Sequence, residues 1–354
     1  MANEKKYEIV NLGKAIGIIL MVIGHTQCPT FLLKLIYSFH MPLFFFLSGY
    51  CFKEKYLSEP RQFVLARVKG LYIPFVKYCL LFLLIHNICY DLHFYSQGVG
   101  GGYYSPTIIL KKICSIIFFM TCEDSLLGGF WFLRALLWGA LISYVMIRIF
   151  KDKYWIGILC LFLGALIMKL FHIVIPLFCI SDWMMIAALF HYAGWTFAHY
   201  EARGSFLMTR SRIIVLALFF FILHLLLVYI YPTDIFAVEN IGMIPCLLMS
   251  LSGIIVTFII SSFISFKKYY LRGVVNYIGH NTLIILAWHF ITFKIVSLAI
   301  VFIYNYPIDY LGYFPFIPGM GEWWIVYAVA GVIVPVLVLY IERNINDYIK
   351  FKLK

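Results

Sequence analysis

A chain of 354 residues with 64% hydrophobic, 19% aromatic and 12% charged residues is no ordinary soluble domain, which carries about twice that charge fraction. The formal net charge of +12 invites a nucleic-acid partner, but the placement of the cations argues against one. The nine cysteines are odd in number, form no CxxC pair and fall mostly within apolar runs, as at Cys79, Cys160 and Cys246, so they supply neither a disulfide frame nor a metal site.

The first residues, Met1-Ala-Asn-Glu-Lys-Lys, resemble a signal n-region. Lys14 interrupts the apolar run that follows and no small-x-small cleavage site comes after it, so the segment reads as a retained first span. Lys14 and His25 are the only ionisable residues between Asn11 and Thr26. At about 100° per residue, a spacing of eleven puts them on one helix face, roughly 16 Å apart along the axis. A cation and an imidazole on one stripe of a membrane helix are costly and mark a functional site. A snorkelling Lys14 with His25 at the far end of the span accounts for the same pattern.

Apolar runs long enough to cross hydrocarbon lie near 9–25, 31–52, 71–91, 127–148, 154–172, 183–200, 213–231, 241–265, 282–303 and 323–341. The expected fold is therefore all-α and polytopic, with about ten transmembrane helices in a single membrane-embedded domain over 1–354 (core about 8–341). Twenty of the 28 Lys and Arg fall in one alternate set of connections, among them Lys53, Arg67, Arg148, Arg210, Lys267, Lys268, Arg272 and Arg343. The opposite loops hold only Lys111 and Lys112. That asymmetry places both termini in the cytoplasm. The segment 107–120 is too short and too charged to span and reads as an amphipathic helix on the outer face. The glycine run Gly98–Gly102 follows no strand and opens no nucleotide-binding unit, so it reads as a loop.

Orientation sets depth. Lys14 falls in the inner half of its span, His25 near the outer end, His40 and His289 near the midplane, and Arg134 in the outer half of span four. Together these five side chains read as the lining of a polar passage. No carboxylate lies deep in any span, which argues against a carboxylate proton relay.

Span two contains Phe39-His-Met-Pro-Leu-Phe-Phe-Phe-Leu-Ser-Gly-Tyr50, fourteen residues after Ile-Gly-His25. This pair strongly resembles the opening of the integral-membrane acyltransferase-3 family. Phe63–Phe75 with Arg67, Lys69 and Ile73-Pro74, the stretch Trp131-Phe-Leu-Arg-Ala-Leu, and Tyr277-Ile-Gly-His-Asn-Thr-Leu before Trp288-His289 are similar to later family segments. The resemblance runs from about residue 8 to about 340. Asn11 departs from it, standing where aspartate is frequent, and so does the loop's usual arginine pair, here Arg67 with Lys69.

The resemblance implies transfer of an acyl group, usually acetyl, from cytoplasmic acetyl-CoA to a hydroxyl of an extracytoplasmic or lipid-linked glycan. The setting is a bacterial cytoplasmic (inner) membrane, with no metal and no nucleic acid. His25 is the implied catalytic residue, as general base or as an acyl-histidine nucleophile. Arg134 is the candidate for the developing oxyanion. The candidates for the CoA phosphates are Arg67 and Lys69, then Lys267, Lys268 and Arg272. Lys14, His40 and His289 would line the substrate passage. No appended transferase domain is expected. The competing class is a polytopic transporter or flippase of a polysaccharide precursor, which ten spans and a polar interior suit equally well. Against it stand the lack of an internal repeat and of an intramembrane acid for ion coupling.

Overall fold

The structure, a computed structural model, describes residues 2–96, 102–151, 153–175, 179–202, 210–231, 242–265 and 270–352. Lys267 and Lys268, and the glycine run apart from Gly102, lie outside the described residues. Among those described there is no β-strand; the elements are helices. In chain order they are α1 (Ala2–Gly24), α2 (Thr30–Tyr37), α3 (His40–Tyr50), α4 (Lys55–Ser58), α5 (Pro60–Arg67), α6 (Ile73–Asp91), α7 (Pro106–Phe119) and α8 (Trp131–Phe150). There follow α9 (Tyr154–Leu170), α10 (Asp182–Ala202), α11 (Arg210–Ile230), α12 (Met243–Ser265), α13 (Tyr270–His280), α14 (Thr282–Tyr304) and α15 (Trp323–Lys352).

Eight helical stretches among the described residues are long and apolar enough to cross a bilayer. The fold is that of an all-α polytopic membrane protein. Of the ten expected spans, the two outside this group are α9 and α10. The first is apolar but has only 17 residues, about 26 Å of rise. The second has 21 residues, but Asp182, His191, His199 and Glu201 dilute its apolar character. Its surroundings account for this, since it packs on α3, α8 and α9 and a helix buried in protein does not have to meet lipid all round.

Two prolines shape the helices that carry the site. A proline has no N–H for the carbonyl four residues back. Pro42 therefore leaves the Ser38 carbonyl free, and span two is broken there: α2 ends at Tyr37 and α3 begins at His40. The Ser250 hydroxyl of α12 donates to that carbonyl at 2.8 Å, and His224 of α11 lies 3.4 Å from Ser38 Oγ. Pro74 likewise leaves the Gly70 carbonyl free, and Val68–Tyr72 widens into a π-turn between α5 and α6, the kind of local widening that recurs at functional sites.

Central in the bundle is α1, which packs on α2, α3, α12, α13, α14 and α15. α3 meets α10 through two glycines. A methyl group on Gly49 would run into the His191 carbonyl, and one on Gly194 into the Phe46 carbonyl, so the backbones touch where any side chain would separate them. Helix α7 is the expected amphipathic helix, with Ile116 buried, Leu110 and Phe118 exposed, and Ser105 capping its start.

The basic connections gather at one end of the bundle. There Lys6 Nζ lies 4.2 Å from the Tyr50 ring centre, the Tyr50 hydroxyl donates to Glu201, His199 meets Glu54 at 3.2 Å, and Arg272 pairs with Glu8. At the far end the Gly319 amide donates to Gln27 at 2.9 Å, and His93 meets Asp309 at 3.1 Å.

Candidate active site

Inside the bundle is a cavity of about 1110 Å³, slightly above the usual range for ligand sites. Lys14, His25, His40, Arg67 and Arg134 all line it, so five residues spread over 120 positions of sequence face one space. Its basic end is formed by Lys14 of α1, Ser48 and Cys51 at the end of α3, and Arg67 and Gly70 at the π-turn. Towards the far end it is lined by His25, Thr26, Tyr37, Trp131, Trp183 and Phe314.

The basic end has unspent capacity for an anion. Arg67 is largely buried. Its guanidinium lies 5.0 Å from the Phe63 ring centre, and Nη1 donates to Ser48 Oγ over a long 3.3 Å. Its Nε is buried without a partner, as is Nε of Arg134. Lys6, Lys14, Lys53 and Arg67 are all near enough to act electrostatically on the Cys51 thiol. Among the described residues, none of those lining the cavity is Asp or Glu. A buried guanidinium without a carboxylate is costly, and an anionic ligand would offset that cost.

The far part is a cluster of imidazoles. His25 follows the last residue of α1 and stacks on His289 of α14, with ring centres 5.4 Å apart and planes at 25°. Phe290 lies 5.0 Å from His25 on a tilted contact. His289 is wholly buried. Its Nδ1 bonds to the Ile285 carbonyl at 3.0 Å and its Nε2 has no partner. His40 Nδ1 bonds to the Ile36 carbonyl at 2.8 Å. A carbonyl only accepts, so in both rings Nδ1 carries the proton and Nε2 is a bare base.

The other sequence candidates lie elsewhere. Lys69 is exposed and is not part of the lining: it occupies the same π-turn as Gly70 but points outward. Arg272 is engaged by Glu8 and lies on α13, away from the cavity. Neither presents a free cation to the space that Arg67 and Lys14 share. His289 reaches the site only through its stack on His25. Conversely, sequence reading passed over Tyr37, Ser48 and Trp183. Tyr37 and Ser48 lie beside or within the Phe39–Tyr50 motif, whereas Trp183 carries no such signal in the sequence.

The fold and cavity define a polytopic membrane protein with an interior chamber that is cationic at one end and imidazole-lined towards the other. Residues 7–342 match the model of the acyltransferase-3 family, described as an acyltransferase domain. The chain belongs to that family and is a membrane acyltransferase. No curated protein and no solved structure matches it.

Proposed function

We propose that the protein transfers an acetyl group from acetyl-CoA, bound at the basic end of the cavity, to a hydroxyl of a glycan that enters from the far end. The observation that carries this reading is the single cavity joining Arg67 and Lys14 to His25. Between its phosphate and its sulfur the pantetheine arm has about thirteen bonds, a little over four extended residues or about 15 Å. The eleven residues from Lys14 to His25 rise roughly 16 Å. With phosphates held at Arg67 and Lys14, the thioester reaches the imidazole.

On this reading the guanidinium of Arg67 takes a phosphate through its vacant N–H groups, and Lys14 adds a second positive charge. His25 removes the proton from the acceptor hydroxyl, whose oxygen attacks the thioester carbonyl. Arg134 faces the charge that develops on the carbonyl oxygen. Collapse expels the CoA thiolate, which takes up the proton and leaves towards the basic end. The twenty-to-two distribution of cations supports a cytoplasmic placement of that end; on this reading the membrane is a bacterial inner membrane, and donor and acceptor come from opposite sides.

The test is vectorial. Purified protein in liposomes, with acetyl-CoA inside and envelope glycan outside, should release thiol inside and form ester outside without an ion gradient. His25→Ala should insert normally and lose about 10²–10⁴-fold of the rate. Glycan movement without thiol release, driven by a proton or sodium gradient, would instead establish a transporter.

A further inference from the structure

The general-base reading needs one particular nitrogen of His25 to be bare, and the structure contains a device that selects it. Tyr37 is the last residue of α2, immediately before the break in span two. Its hydroxyl donates to the Gly24 carbonyl at 2.7 Å, and its oxygen lies 3.5 Å from Nδ1 of His25. A phenol has one proton, and here that proton is committed to Gly24. Towards His25 the oxygen can therefore only accept, which places a proton on Nδ1 and leaves Nε2 unprotonated.

We propose that Tyr37 is a positioning residue that holds His25 in the Nδ1–H tautomer, so that Nε2 is the nitrogen presented to the acceptor hydroxyl. The proposal rests on the reading of His25 as the base. A triad carboxylate holds its histidine in the productive tautomer in the same sense, here with a neutral oxygen in its place. The two neighbouring histidines need no such help. His40 is fixed as Nδ1–H by the Ile36 carbonyl at the end of α2, at 2.8 Å, and His289 by the Ile285 carbonyl of its own helix, at 3.0 Å. His25 stands just past the end of α1, and its ring makes no such bond among the described residues.

The local packing brings Tyr37 to this spot. A methyl group on Gly24 would lie 3.3 Å from Ile36 Cγ2 and 3.4 Å from Tyr37 Cζ, so the glycine lets the phenol press against the end of α1. The ring is also tilted against His40, with centres 5.2 Å apart. Span two breaks at Ser38, so Tyr37 and His40 belong to separate helices, and both line the cavity with His25. Residues three apart would share a face in a continuous helix as well; what the break adds is the Ser38 carbonyl and hydroxyl, which Ser250 and His224 tie down.

The experiment is nitrogen NMR on histidine-labelled protein in detergent, with His25 assigned by its loss in His25→Ala. The expected result is three Nδ1–H imidazoles for His25, His40 and His289 in the unaltered protein. In Tyr37→Phe, which keeps the ring, only His25 should move towards a mixture of tautomers. Thiol release from acetyl-CoA by membranes carrying the native glycan should fall about 2- to 13-fold in kcat, the weight of one neutral hydrogen bond, with the acetyl-CoA KM unchanged. An Nε2–H tautomer of His25 in the unaltered protein overturns the proposal by itself, whether or not the variant folds. An unchanged His25 signal in Tyr37→Phe also overturns it and reduces Tyr37 to a cap for Gly24. Failure of the base reading would show differently, as full activity in His25→Ala.

Discussion

Arg67→Ala separates a ligand-binding arginine from a structural one. In the free protein this guanidinium has one long bond, 3.3 Å to Ser48, a ring contact with Phe63 at 5.0 Å, and a buried Nε with no partner. Deleting it forfeits at most about 1.5 kcal/mol for the bond, the low end for a charged donor because the bond is long, and about 0.5–1 for the ring contact. It also relieves the unpaired Nε, worth about 1–3 kcal/mol. The two sides offset, so the melting temperature should move by only a few degrees. Binding should suffer far more. One charge-assisted bond to phosphate is worth about 1.5–3 kcal/mol, or about 10- to 150-fold in the CoA Kd. Calorimetric titration of CoA into detergent-solubilised protein, with thermal unfolding in parallel, reads both quantities. Arg67→Lys should recover only part of the affinity, since an ammonium cannot make the forked contact. A Kd within threefold of the unaltered protein, together with a large loss of thermal stability, would refute the reasoning and make Arg67 a packing residue.

Three further outcomes are expected. On a cysteine-free background, Pro60→Cys should resist an impermeant thiol reagent in intact cells while Tyr103→Cys is labelled; the reverse pattern would invert the membrane orientation. Gly49→Ala should abolish folded yield, because the methyl group meets the His191 backbone carbonyl rather than a movable side chain; a normally folded variant would show that α3 and α10 can separate at little cost. Lys294 is buried and donates to the Leu311 and Tyr313 carbonyls at 2.5 and 2.6 Å. Lys294→Met should therefore lower the melting temperature, with about 1–3 kcal/mol for each carbonyl left unpaired, and leave the CoA Kd alone. An unchanged melting temperature would mean that desolvating the lysine costs as much as its two bonds return.

Much of the site was legible because charge inside hydrocarbon is rare. Lys14 and His25 stand out in an apolar run, and helical periodicity alone puts them on one face. His40, His289 and Arg134 could be identified as intramembrane polar residues, but not brought together, because their convergence depends on which helices are neighbours. The break in span two was hidden behind the unbroken apolar run on either side of Ser38. Its cue was Pro42, read as part of a motif and not as a missing N–H. Pro74 carried the same message for the π-turn. Lys69 and Arg272 show the limit of counting cations by loop: one points out of the π-turn and the other is neutralised by Glu8. Which carboxylate a cation finds is a tertiary fact. Helix α10 dilutes its apolar residues because its neighbours are protein, and hydropathy cannot distinguish that from a weaker span.

The central position of α1 has a consequence for how this sequence can change over time. Because the helix is held on six sides, the interval from Lys14 to His25 acts as a fixed gauge. Substitutions within it alter side chains one at a time and leave the gauge intact. Inserting or deleting one residue would swing His25 by about 100° off the cavity face, away from Tyr37 and His289, with nothing in the surrounding bundle free to follow. Only a change close to whole turns, about four or seven residues, would restore the facing, and it would lengthen or shorten the reach by about 6 or 10 Å. This stretch of the chain can thus change in composition where its side chains are not packed, yet it is closed to small changes in length.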